Sequence, residues 1–187
     1  KNNNISGEIV ECGIYNGNTL AFLGRTLDQF ELEKKIWGYY TFEEGFLDET
    51  LSKYDTDFKK RKIKSLKEEN IQTQFFSISD VISNINAHHK YDENKYILIK
   101  GDIIKSLDNE KYIPEKISFL RMDTDLYETT RKQLEVLYPK LSLGGVLHVD
   151  DYGMCPGVKT AVDEYFKDKK IWLHKVDMSC RYLIKNE

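Results

Sequence analysis

GEIVECGIYNGNT, residues 7–19, is the stretch on which the fold turns. Its first half is short, apolar and β-branched, as a buried strand should be. An acid, Glu11, stands at the end of that strand, and glycines follow at positions 13 and 17. The run downstream reads as a helix capped at Asn18 or Thr19 and continuing to about Phe30. Strand, tight turn and helix make the opening unit of an alternating β/α chain. Gly13 and Gly17 would also let the backbone come close to a ligand at the helix N-terminus. The spacing is Gly-xxx-Gly rather than the Gly-x-Gly-xx-Gly dinucleotide fingerprint, so by itself it fits a plain strand-to-helix turn equally well.

Working outward, four further segments repeat the strand pattern: KIWGYYTF (35–42), KYILIKGD (95–102), KISFLRMD (116–123) and GGVLHVDD (144–151). Helical stretches separate them. TTRKQLEVLYPKL carries Leu134, Leu137 and Leu141 at helical spacing, and GVKTAVDEYFKDK places Val158, Val162 and Phe166 on one face. IWLHKVD (171–177) and CRYLIKN (180–186) read as a hairpin closing one sheet edge. The expected class is α/β, with a mostly parallel sheet and an antiparallel C-terminal hairpin. The stretch at about 46–90 is longer than one connecting helix needs and reads as an inserted helical lid. No linker or repeat divides residues 1–187, so one domain is expected.

Composition narrows the function. The 187 residues are 40 % hydrophobic and carry a net charge of −3, which suits a globular domain with a single core. That balance argues against a nucleic-acid partner, whose usual footprint is strongly basic. The lysines of FKKRKIKSLKEEN (58–70) are interleaved with acids and read as a solvated helix face. Nothing approaches the ~18 apolar residues of a membrane span, and no signal peptide is read. Cys12, Cys155 and Cys180 are scattered, with no CxxC pair, so neither a zinc site nor a disulfide framework is expected and a cytoplasmic setting fits. The chain starts at Lys1 rather than Met and reads as a fragment or a processed product.

The acids gather at strand ends. Glu11, Asp102 and Asp123 each close a strand, and Asp150 and Asp151 close the fifth together. In open α/β sheets that is where ligands bind. With the fourth and fifth strands as neighbours at one end of the sheet, Asp123, Asp150 and Asp151 would converge. Three oxygen donors suit a hard cation such as Mg²⁺, which would remove their mutual repulsion. The plainer reading is that Asp150 or Asp151 caps the next turn. Asp125 reads as a helix N-cap, with Glu128 in the same acidic first turn. His148 lies mid-strand and reads as core, while His88, His89 and His174 have no partner spacing. Cys155 has no identifiable base, which argues against a nucleophile.

These motifs taken together resemble a known family. GEIVECGIYNGNT, the GD at 101–102, LRMDTDLYETT, LYPKLSLGGVLHVDDYG and PGVKTAVDEYF look like the macrocin O-methyltransferases, across most of the chain outside 46–79. The resemblance implies a Rossmann-like class I methyltransferase fold, S-adenosylmethionine and Mg²⁺ as cofactors, and a sugar hydroxyl as acceptor. Along the cofactor it implies Glu11, Gly13, Tyr15, Gly17 and Thr19 from the first unit. It adds Tyr40, Thr41, Asp102 and Asp123 from later strand ends, with Asp102 at the adenine. Asp123, Asp150 and Asp151 would hold the metal, and Asp123 would also be the catalytic base. The implied partner is a small-molecule sugar or nucleotide-sugar acceptor, not a nucleic acid or a membrane; homo-oligomers are common in such enzymes, but no self-complementary patch is legible here. Polysaccharide biosynthesis is one setting for that chemistry.

Three features depart from the pattern. A second-strand motif like FDTFEG is replaced by YYTFEEG, which puts Tyr40 where an acid would grip the ribose. A phenol can donate one hydrogen bond or stack but cannot give the two ribose hydroxyls a carboxylate's bidentate grip, which leaves Glu43 or Glu44 as a stand-in. The family's helices before the first strand are absent, and Asn16 replaces a basic residue. Leu126 occupies the place of the base lysine of related catechol enzymes. Rival readings are a methyltransferase-like binding domain without turnover, a catechol-type small-molecule O-methyltransferase, and a nucleotide-dependent enzyme on a similar sheet.

Overall fold

In the computed structural model, which describes residues 5–41, 51–56, 60 and 76–187, the five expected strands form. They are β1 (Glu8–Cys12), β2 (Ile36–Tyr40), β3 (Tyr96–Lys100), β4 (Ile117–Met122) and β5 (Leu141–Val149). The closing hairpin is β6 (His174–Lys175) with β7 (Arg181–Ile184). The sheet order is β3-β2-β1-β4-β5-β7-β6. Pairings from β3 through β5 are parallel, and those of β7 with β5 and β6 are antiparallel. β4 and β5 are neighbours as expected, but they lie in the interior of the sheet, because β7 and β6 extend it beyond β5. The chain runs from β1 outward to β2 and β3, then returns to β4 on the other side. The switch point therefore lies between β1 and β4, the place in an open α/β sheet where ligands bind.

Two helical layers cover the sheet. α1 (Asn18–Gln29) and α2 (Ile78–His88) pack Leu20, Leu27, Val81 and Ile85 against Ile9 and Ile36 on one face. α4 (Tyr127–Val136) and α5 (Pro156–Phe166) cover the other with Leu134, Val158, Val162 and Phe166 against Val10, Cys12, Leu120 and Leu147. Between the layers in sequence lies the short α3 (Ile103–Ser106). Strand residues alternate between the two clusters with period 2, as the pleat requires. Glu11, Arg121 and His148, each one step from a residue of the α4/α5 cluster, thus face the α1/α2 side.

Several boundaries differ from the sequence reading. The cap of α1 is Gly17, at φ 83, and it makes no side-chain bond; Asn18 instead starts the helix, its N–H donating to Asn16 Oδ1. β5 begins three residues early, with Gly144 at φ 79 turning within it, and β6 shrinks to two residues. The expected lid at about 46–90 contributes α2, opened by a Ser77–Asp80 capping box. Residues 46–50, 57–59 and 61–75 of that region lie outside the described residues, as do residues 42–45, Glu43 and Glu44 among them. Among the described residues, no helix is long and apolar enough to cross a membrane.

Candidate active site

The carboxyl ends of β4 and β5 bring three acids together. Ligand oxygens of Asp123, Asp150 and Asp151 all lie within 4.8 Å of one another. Neither Asp150 nor Asp151 caps α5, whose N-cap is Cys155 without a side-chain bond. Asp151 instead offers its backbone carbonyl to the N–H groups of Met154 and Cys155, and its carboxylate lies beside those of Asp123 and Asp125. Ser179, arriving before β7, donates its hydroxyl to the Asp150 carbonyl at 2.9 Å and so ties the loop to the hairpin. An all-oxygen donor set of this size matches a hard divalent cation better than a soft one.

A residue that sequence reading passed over sits at the centre. Arg121, on β4, donates from Nη1 to Glu11 Oε1 at 2.7 Å and to Asp123 Oδ2 at 2.5 Å, and its Nη2 lies 3.2 Å from Asp150 Oδ1. Strand register explains the convergence, because Glu11 of β1 pairs with Arg121 of β4, which pairs with His148 of β5. The signal was present in KISFLRMD: a charge inside an apolar strand, two residues before a strand-end acid, shares a face with it. His148, read as core, bonds Cys180 Sγ through Nε2 at 3.0 Å, and burial, with Arg121 beside it, lowers its tendency to protonate.

Asp125 is the second missed member. It does not cap α4, whose N-cap is Leu126. Its φ of 62 turns its carboxyl back to share a hydrogen bond with Asp151. The capping job falls to Asp55, from the region read as a lid, whose Oδ1 accepts from the Tyr127 N–H at 2.8 Å while Oδ2 accepts from Ser52 N–H at 2.7 Å. Gly157 makes this possible, since a Cβ there would come within 2.0 Å of Asp55 Oδ1.

Burial of so many acids changes their chemistry. Desolvation pushes Asp123 up to about 7 despite Arg121, and burial together with the Asp125 bond pushes Asp151 up to about 7. Asp125 is also raised, chiefly by burial. Glu11, only 1 % exposed, rises to about 7 through desolvation, opposed by Arg121. The Cys155 thiol rises to about 12 through burial and the surrounding carboxylates, the opposite of an activated nucleophile.

The remaining expected cofactor residues lie at or after the carboxyl ends of β1, β2 and β3. Glu11 Oε2 is buried without a hydrogen-bond partner, although Thr19 lies close enough to favour the ionised form. An orphaned acceptor at the head of a glycine turn fits a ligand's ammonium or hydroxyl donor. Gly13 and Gly17, at φ 88 and 83, serve the fold first: a Cβ at Gly13 would strike the Asp123 carbonyl at 1.7 Å, and one at Gly17 would meet Val81 at 2.8 Å. Tyr15, at φ 46, stands edge-on to Phe76 with centroids 4.8 Å apart. Tyr40 ends β2 half-buried, its hydroxyl made less acidic by burial and by Tyr15, and Thr41 follows it. Asp102 caps α3, accepting from Ile104 N–H at 2.9 Å, three strands away from β4.

Comparison with known proteins follows the same lines. The profile of the macrocin O-methyltransferases (TylF) matches residues 1–185. A demethyldecarbamoylnovobiocin O-methyltransferase of Streptomyces niveus is 33 % identical over 164 residues, covering 87 % of this chain and 59 % of its own. A mycinamicin III 3''-O-methyltransferase of Micromonospora griseorubida is 26 % identical over 162 residues, covering 86 % and 61 % respectively. The chain thus spans about three fifths of the length of these relatives. The solved O-methyltransferase NovP superposes with a TM-score of 0.84 at 31 % identity, over 100 % of this chain and 74 % of that one.

Proposed function

The chain belongs to the macrocin O-methyltransferase family, and on that premise we propose that it transfers a methyl group from S-adenosylmethionine to a sugar hydroxyl with the help of a divalent cation, Mg²⁺ by preference. One observation carries this reading. The carboxylate oxygens of Asp123, Asp150 and Asp151 meet within 4.8 Å at the switch point, beside the buried Glu11 and its unpartnered oxygen. A metal site and a cofactor site that share an edge are what a two-substrate transfer needs.

In this reading Asp123, Asp150 and Asp151 hold the cation, which would act as a Lewis acid and template for neighbouring acceptor hydroxyls. S-adenosylmethionine would bring a methyl group already activated on sulfur, so the protein's task is alignment and exclusion of water. Glu11 takes the donors of the cofactor's amino-acid end, with Tyr15, Thr19, Tyr40, Thr41 and Asp102 along the remainder. Asp123 accepts the acceptor's proton; a carboxylate raised to about 7 is well matched to that work near neutrality. The acceptor is a small molecule, a free or nucleotide-linked sugar. The whole chain acts as one domain, in which α2, from the region read as a lid, belongs to the layer that covers the sheet.

A second reading, a binding domain without turnover, draws on Tyr40 in place of a ribose-gripping acid. Calorimetric titration of S-adenosylmethionine and S-adenosylhomocysteine, with Mg²⁺ and with EDTA, followed by methyl-transfer assays on nucleotide sugars, tests both. Binding and transfer that stop with EDTA support the enzyme. Binding without transfer to any sugar supports the second reading, and no binding removes both.

A further inference from the structure

Glu11, Arg121 and His148 occupy matched register positions across three adjacent strands, and Arg121 is the middle one. Its side chain is 16 % exposed. Its two terminal nitrogens reach acids from all three strand ends, Glu11, Asp123 and Asp150. Among the described residues it is the only Lys or Arg side chain in ion-pair range of those three. His148, on β5 beside it, is bonded to Cys180 and lies near Asp150, but burial and Arg121 itself disfavour a charge on its ring. One fork-shaped cation thus touches the cofactor-side acid and two of the three metal-side acids at once, a geometry that a lysine's single ammonium cannot reproduce.

We propose that Arg121 is a positioning residue and a built-in counter-cation, which aims Glu11, Asp123 and Asp150 before any ligand arrives and competes with the divalent cation for the two aspartates. This rests on the metal and cofactor assignments above. Two effects of opposite sign follow. The guanidinium repels an incoming dication and holds two of its ligands, so removing it tightens metal binding. The same guanidinium aims Glu11 at the cofactor, so removing it weakens cofactor binding. A residue that merely supported the fold would weaken both.

The test uses Arg121→Met and Arg121→Lys with two probes: Mn²⁺, followed by the loss of its free-ion electron paramagnetic resonance signal, and S-adenosylhomocysteine, followed by calorimetry. For Arg121→Met, Mn²⁺ affinity should rise about tenfold and S-adenosylhomocysteine affinity fall about tenfold, within the range of inter-site couplings. For Arg121→Lys, which keeps the charge and loses the fork, Mn²⁺ affinity should change less than about threefold while the cofactor weakens. Should Arg121→Met fail to fold, Arg121→Lys carries the test, and a fall of Mn²⁺ affinity alongside the cofactor overturns the proposal. Wild type that binds neither probe removes the functional reading itself. Wild type that binds both, with Arg121→Met shifting both in one direction, removes only the role given to Arg121.

Discussion

The two halves of the sheet treat the same residue type differently. On one half, Glu11, Asp123, Asp150 and Asp151 end β1, β4 and β5 and are drawn into one cluster around Arg121. On the other, β2 ends in Tyr40, and Asp102 at the end of β3 turns its carboxylate to the N–H of Ile104. A strand-end acid becomes part of a reactive cluster only when the next strand supplies another acid or a cation facing it. Without such a neighbour, its cheapest partner is the helix that follows.

The largest effects should come from the crowded half. Asp150→Ala or Asp151→Ala should lower Mg²⁺-dependent methyl transfer about a hundredfold or more while circular dichroism stays unchanged. Full turnover in either variant would break the contrast, since the pair would then be no more functional than Asp102. Asp123→Asn should lower kcat by about a hundredfold and S-adenosylhomocysteine affinity by less than about threefold; a loss confined to cofactor binding would remove the base assignment. Metal binding should follow pH in a fixed direction. Asp123 and Asp151 are raised to about 7, so below that they hold protons that the metal must displace. Mn²⁺ affinity should therefore climb as pH rises from about 5 to 8 and level off above. The same shift makes the metal-free fold lose stability as pH rises from about 4 through 7, because the folded state holds those protons more tightly than the unfolded chain.

Smaller effects are expected on the aromatic half. Tyr40→Asp should tighten S-adenosylmethionine binding by about tenfold if a ribose-facing carboxylate is all that position lacks. Unchanged calorimetry would mean that another residue already grips the ribose. Asp102→Ala should cost about 1 kcal/mol of stability through the lost cap, seen as a lower melting temperature. An equal drop with and without S-adenosylhomocysteine would confine Asp102 to capping, and a larger drop with it would restore the adenine contact.

The strands themselves, the β4–β5 pairing and the converging aspartates were legible because period, turn residues and strand-end acids are local signals. The misses share one cause: each depended on what another strand or loop brings alongside. Arg121 gains meaning only when register sets it between Glu11 and His148. Asp125 stands where a cap belongs, and the sequence holds no sign that Asp55 takes that place and frees it to turn towards Asp151. Gly13 and Gly17 read equally as room for a ligand or as a plain strand-to-helix turn, and the approach of Asp123 and Val81 supplies the structural constraint. A left-handed glycine looks the same in sequence whichever neighbour demands it.

The Glu11–Arg121–His148 row also bears on how the sheet assembles. β4 is apolar on one side, with Leu120 and Met122 packed into the α4/α5 cluster. A slip of one residue against β1 would turn Arg121 into that cluster, its guanidinium stripped of water and facing Val10 or Cys12 rather than Glu11. A buried cation without its partner is among the most costly errors a fold can contain. The same charge that meets Glu11 thus also penalises a shifted β1–β4 register.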